Sequence, residues 1–151
     1  LGTLVFDQAT KWIARATLAG RRPMNFLGDL FRFEYAENPG AILSLGGNLS
    51  PQARFWILTV FVGVLLGFML FAALGRFKLS KLEFVSLAMI CGGGFSNLGD
   101  RIFNEGRVYD FMNMGIGSLR TGVFNVADLA IVAGAILLLV GGLLARRSKK
   151  E

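Results

Sequence analysis

Asn97-Leu98-Gly99-Asp100-Arg101 opens, and Asn125-Val126-Ala127-Asp128 closes, the stretch on which the reading of this chain turns. Between them lie Glu105, Arg107, Asp110 and Arg120, and apolar runs stand directly before and after. Flanks of that kind read as membrane-spanning, which puts several ionisable groups at or inside a bilayer boundary. Charge is costly there, so a boundary carboxylate is a functional candidate by default.

Composition supports the membrane reading. The 151 residues are 54% hydrophobic and 17% charged, against about a quarter charged in ordinary soluble domains. Mean hydropathy is +0.57, and the apolar residues collect in runs. The net charge of +6 does not require nucleic acid, because the lysines cluster beside those runs, where topology determination accounts for them. The chain has no His, which excludes a histidine-based triad and a conventional zinc site. Cys91 is the one cysteine; set among apolar neighbours with no His to activate it, it reads as a small buried hydrophobe.

Working outward, Ser50-Pro51 is a helix start, with Ser as N-cap and Pro at the first helical position. A charge-free run over Phe55–Leu74 follows, long enough to cross a hydrocarbon core. Arg76, Lys78 and Lys81 precede a third run that contains Gly92-Gly93-Gly94, a signal for close helix packing or a break. The last run ends at Arg146, Arg147, Lys149 and Lys150. Upstream, residues 1–19 read as a helix with Asp7, Lys11 and Arg15 on one polar stripe at i, i+4 and i+8. Leu1 is not an initiator Met, so this helix is expected to begin before it. Phe31, Phe33 and Tyr35 alternate with Arg32, Glu34 and Ala36, the period of a half-buried strand. Asn38-Pro39-Gly40 and Gly46-Gly47-Asn48 are turns.

The expected architecture is a single all-α membrane domain of four transmembrane helices, at about 1–19, 55–74, 84–99 and 126–145. A small extracytoplasmic β-rich element occupies about 21–50, between helices 1 and 2, and an extracytoplasmic loop about 100–125. The two basic clusters flanking helices 3 and 4 fall on one side, which the positive-inside rule makes cytoplasmic.

Asp110 and Asp128 are then expected near one membrane face. Two close carboxylates cannot readily both ionise, so such a pair shares a proton and supplies an acid and a base without metal, cofactor or His. Two plainer accounts stand beside this one. Asn125 and Asp128 have the spacing of a helix cap, and Asp100, Glu105 and Asp110 have Arg101, Arg107 and Arg120 as ion-pair partners within reach. Spacing alone does not choose between them. A different class, a small non-enzymatic transporter or channel subunit, would place its charges at mid-span, whereas most charges here collect at span ends; a structural membrane-binding module would need neither aspartate.

Five short motifs occur in order: Asp7-Gln8-Ala9-Thr10-Lys11, Asn38-Pro39-Gly40-Ala41, Gly92-Gly93 through Asn97 to Asp100-Arg101, Val108-Tyr109-Asp110-Phe111, and Phe124-Asn125-Val126-Ala127-Asp128. Together they resemble the lipoprotein signal peptidase (signal peptidase II) family of bacteria over essentially the whole chain. The resemblance implies an intramembrane aspartyl endopeptidase that cleaves diacylglyceryl-modified prolipoproteins just before the lipidated Cys. It puts the catalytic pair on Asp110 and Asp128, with no metal or cofactor. It makes Asp100 and Arg101 a supporting pair, Asn38, Gly40, Asn97 and Asn125 polar lining, and Asp7 and Lys11 a pair on the first helix. The implied setting is the bacterial cytoplasmic (inner) membrane, multi-pass, with the site at the extracytoplasmic face. Membrane lipid and prolipoprotein are the implied partners, nucleic acid is not, and a monomer is the default expectation. Ser96 and Ile42-Leu43 depart from the family pattern and bear on the pocket's shape. Phe111, Met112, Met114 and Ile116 suit an adaptable lid over substrate.

Overall fold

The computed structural model describes residues 1–41, 45–76 and 79–148. Four helices, α1 (Gly2–Leu18), α2 (Pro51–Gly75), α3 (Lys81–Phe103) and α4 (Val126–Ser148), stand against a four-stranded antiparallel sheet. Its strands are β1 (Met24–Phe26), β2 (Phe31–Asn38), β3 (Val108–Ile116) and β4 (Leu119–Arg120), in that spatial order. The chain enters or leaves the sheet at the end of α1, the start of α2, the end of α3 and the start of α4. The sheet therefore caps one end of the helix group.

The helices form where the apolar runs predicted them. Ser50 Oγ accepts from the Ala53 N–H at 3.2 Å, capping α2, and Ser80 with Glu83 makes a capping box for α3. α2, α3 and α4 are long and apolar enough to cross a membrane. α1, with 17 residues and three charges on its polar stripe, is not one of those three. Phe61, Phe68, Val64 and Leu139 point outward, as lipid-facing side chains do. The triple glycine does not break α3; it lets neighbours approach. A Cβ on Gly93 would stand 2.5 Å from the Ala127 carbonyl oxygen of α4, and one on Gly94 the same distance from Leu66 of α2.

Two expectations need correcting. The fold is not all-α, because β3 pairs with β2 from Phe31↔Met114 to Asn38↔Val108 and makes one sheet of segments far apart in sequence. The stretch 100–125 is accordingly no loop: α3 runs through Gly99 to Phe103, turns at Glu105 and Gly106 in left-handed backbone, and passes into β3. Phe111 and Met112 are core residues packed with Ala14, Leu18 and Phe124 rather than parts of a lid, while Met114 and Ile116 are exposed. A nine-residue strand bonded on both sides satisfies backbone groups that a loop beside lipid would leave unpaired.

Candidate active site

β3 and the first turn of α4 bring Asp110 and Asp128 to one cavity of about 130 Å³, lined also by Asn38, Asn97 and Arg101. Both carboxylates are buried. Three asparagines hold them. Asn38 Nδ2 donates to Asp110 Oδ2 at 2.9 Å, and Asn125 Nδ2 to Asp110 Oδ1 at 2.6 Å. Asn97 Nδ2 donates to Asp128 Oδ1 at 2.9 Å. The backbone N–H of Asn125 reaches Asp128 Oδ2 at 3.2 Å, and Asp128 N–H returns to Asn125 Oδ1 at 2.9 Å. The capping arrangement and the shared cavity thus coexist: Asp128 caps α4 with one oxygen and turns the other to Asn97. On β3, outside the helices, burial pushes the Asp110 carboxyl up to about 7; the Asn38 amide opposes this and the charge of Asp128 adds to it.

Asp7, Lys11 and Asp100 form a second polar group. Lys11 Nζ lies 2.6 Å from Asp7 and 2.7 Å from Asp100, with all three buried. It also donates to Asn97 Oδ1 at 2.8 Å. Because that oxygen faces Lys11, the Asn97 NH₂ is left to face Asp128 and the amide orientation is fixed. Asp7 Oδ1 accepts the Ala127 N–H at 2.7 Å, tying α1 to the first turn of α4.

The expected Asp100–Arg101 partnership is not made. Asp100 turns to α1, accepting from Gln8 Nε2 at 2.8 Å and Tyr109 N–H at 3.3 Å besides pairing with Lys11. Arg101 faces the cavity and donates to Gly40 O at 2.7 Å and Asn97 O at 3.3 Å. Adjacent helical residues point about 100° apart, so sequence neighbours seldom share a partner. The other ion pairs differ too: Arg107 meets Glu37 at 3.0 Å. Arg120, within reach of Asp100, Glu105 and Asp110 in the sequence, pairs with none of them; it is mostly buried and braces the Asp29 carbonyl at 2.8 Å and Asn113 at 2.5 Å. Gly40 N–H donates to Asn38 Oδ1, which sets the Asn38 amide.

Sequence reading placed Arg15 on the stripe and Gln8 and Tyr109 inside motifs but gave none of the three a role at the site. Arg15 leaves the stripe to donate to Tyr109 Oη at 3.1 Å and cover its ring. Ser96, a departure from the family pattern, donates to Asp7 Oδ2 at 2.7 Å and so serves the second group, not the cavity. Ile42-Leu43 lie outside the described residues. The pairing of Gln8 with Ser96 gave no signal, since a contact across 88 residues is written in packing alone.

Comparison with known proteins bears on this geometry. The family model described as signal peptidase (SPase) II matches residues 1–144. The chain belongs to the signal peptidase II family. Proteins named lipoprotein signal peptidase are similar to it throughout. The one from Beijerinckia indica is 41% identical, covering 91% of this chain and 80% of its own length. The one from Rhodococcus jostii is 37% identical over 91% of this chain, which spans 66% of that relative. A solved structure described as a bacterial membrane enzyme shares the fold, with TM-score 0.82 and 23% identity over 99% of this chain and 87% of its own. Membership in signal peptidase II makes this chain a membrane peptidase and sets aside the transporter and structural-module alternatives.

Proposed function

We propose that this signal peptidase II cleaves the signal peptide from diacylglyceryl-modified prolipoproteins just before the lipidated Cys, using Asp110 and Asp128 as its acid–base pair. The observation that carries the reading is the pair's shared cavity, in which each carboxylate is fixed by asparagine amides and, among the described residues, faces no cation at salt-bridge distance. A carboxyl near 7 holds a proton for much of its time at neutral pH, so Asp110 supplies the acid and Asp128 the base.

Water attacks the scissile carbonyl carbon while Asp128 takes one of its protons. Asp110 gives its proton to the carbonyl oxygen, and a neutral tetrahedral diol results. On collapse the C–N bond breaks, Asp128 passes its proton to the leaving nitrogen, and Asp110 recovers one from the diol hydroxyl. Asn38, Asn97 and Asn125 keep both carboxylates in place through this exchange, which avoids reorganisation at each step.

We place the protein in the bacterial cytoplasmic membrane as one domain with four spans, counting α1. The sheet and the pair sit at the extracytoplasmic side, opposite the Arg76–Lys81 connection and the basic C-terminus. A substrate whose acyl chains remain in lipid then presents its peptide bond at that boundary. Membrane lipid and prolipoprotein suffice as partners, with a monomer as the working unit. The test is cleavage of a diacylglyceryl prolipoprotein by wild type and Asp128→Asn in detergent. Wild type should release signal peptide and the variant none; near-wild-type turnover by the variant would sink the assignment.

A further inference from the structure

A second cleft, of about 520 Å³, opens beside the cavity of the aspartate pair. Pro39 and Thr59 line it, and so do the guanidinium-bearing residues Arg54, Arg101 and Arg107, against one acid, Glu105. Arg101 lines both spaces, so the cleft and the cavity of the aspartates are neighbours across one side chain. The three arginines come from three elements. Arg54 lies in the first turns of α2, where its Nη1 donates to Gly47 O at 2.7 Å. Arg101 is near the end of α3, and Arg107 follows the Glu105–Gly106 turn with one nitrogen on Glu37. Each guanidinium has five N–H donors, so those contacts leave donors over. In a chain only 17% charged, three cations on one cleft is a concentrated field.

We propose that this cleft is a subsite for a carboxylate side chain in the segment of substrate that follows the lipidated Cys. The inference rests on the function proposed above. Of the two sides of the scissile bond, the signal peptide is apolar and belongs in lipid, where arginines would be a poor lining. The segment after the Cys is the water-facing one. The cleft lies at the ends of α2 and α3 that adjoin the sheet, which is the water-facing end of the helices. Guanidinium forks bind carboxylates in a directed, two-bond geometry, so Asp or Glu fits better than a neutral amide of equal size. The source of the anion is the substrate polypeptide rather than a phospholipid headgroup, because the cleft shares Arg101 with the cavity of the aspartate pair.

The experiment uses two lipidated peptides that differ only by Asp or Asn at the positions after the lipidated Cys. Both are cut by the full-length protein in neutral detergent. Wild type should prefer the Asp peptide about fivefold, through KM rather than kcat, with the preference shrinking at high salt. In Arg54→Gln/Arg107→Gln the ratio should fall to about one, and in Arg54→Lys/Arg107→Lys part of it should return. Equal handling by wild type, or a preference surviving in the Gln variant, overturns the subsite. So does a rate that responds to added phosphatidylglycerol and ignores the peptide charge, which would assign the cleft to headgroups. Failure of wild type to cut either peptide would overturn the proposed function itself, a result distinct from equal cutting of both.

Discussion

Two sets of buried aspartates meet near the first turn of α4, and they are built on opposite plans. Asp7 and Asp100 share Lys11 at 2.6 and 2.7 Å, so one ammonium stands at salt-bridge distance from both. Asp110 and Asp128 are held by the amides of Asn38, Asn97 and Asn125. Amides orient a carboxylate without fixing its charge, whereas a salt-bridged lysine fixes both. A carboxylate left free to gain and lose a proton suits chemistry; one locked by a cation suits architecture. Asn97 connects the two, since its oxygen accepts from Lys11 and its nitrogen donates to Asp128.

The sharpest break between the sets is expected from Asp110→Asn. Turnover should fall by on the order of a thousandfold, the scale of a lost acid–base group. The Tm in detergent should stay level or rise, because a buried charge has been removed and the hydrogen-bonded shape kept. A variant that lost activity and stability together would show that Asp110 is structural.

Lys11→Met should do the reverse. It strands Asp7 and Asp100 without a cation, and breaking a buried pair costs about 3–5 kcal/mol, read as a large drop in Tm. What folded protein remains should show lowered turnover, because Asn97 loses the contact that orients it. Lys11→Met combined with Asp100→Asn should recover much of the Tm. If Lys11→Met melts like wild type, the second set carries little of the fold.

Gly93→Ala tests the joint between the sets and the bundle. The added methyl would meet the Ala127 carbonyl at 2.5 Å, one residue from Asp128. Pushing α4 away should cost about 1–3 kcal/mol and lower turnover as the Asn97–Asp128 hydrogen bond lengthens. An unchanged Tm with unchanged turnover would mean that the helices yield there freely.

These contrasts were only partly legible in the sequence. Charge-free runs and the Ser50-Pro51 start gave α2, α3 and α4 within a few residues, because lipid-facing helices have little freedom in composition. The Phe31–Tyr35 alternation gave β2. β3 was hidden: Val108–Ile116 is covered on both faces over much of its length, so it shows no alternation, and its Met, Asn and Gly residues read as loop. Its partner lies some 70 residues upstream, a pairing that local pattern does not encode. The motif around Asp110 and Asp128 singled them out through family resemblance. The division of labour between Asp100 and Arg101 was misread, because adjacency in sequence places them on different faces of α3.

The most gradual expected effect separates a protonatable carboxyl from a merely buried one. In the unfolded chain Asp110 titrates near 3.9, and in the folded protein burial pushes it up to about 7. Between those values the folded state binds more protons than the unfolded state, so stability falls as pH rises. The slope is on the order of 1 kcal/mol per pH unit at most. This contribution is fully present below about pH 4 and is lost as pH rises through about 7. Asp110→Asn has no such proton to lose. The Tm of the variant relative to wild type should therefore climb from pH 4 to 7 and level off above about pH 8. Over the upper part of that range the wild-type cleavage rate should decline, because the acid that protonates the carbonyl oxygen is being lost. Parallel Tm curves for the two proteins would place the proton elsewhere, and with it the acid of the reaction.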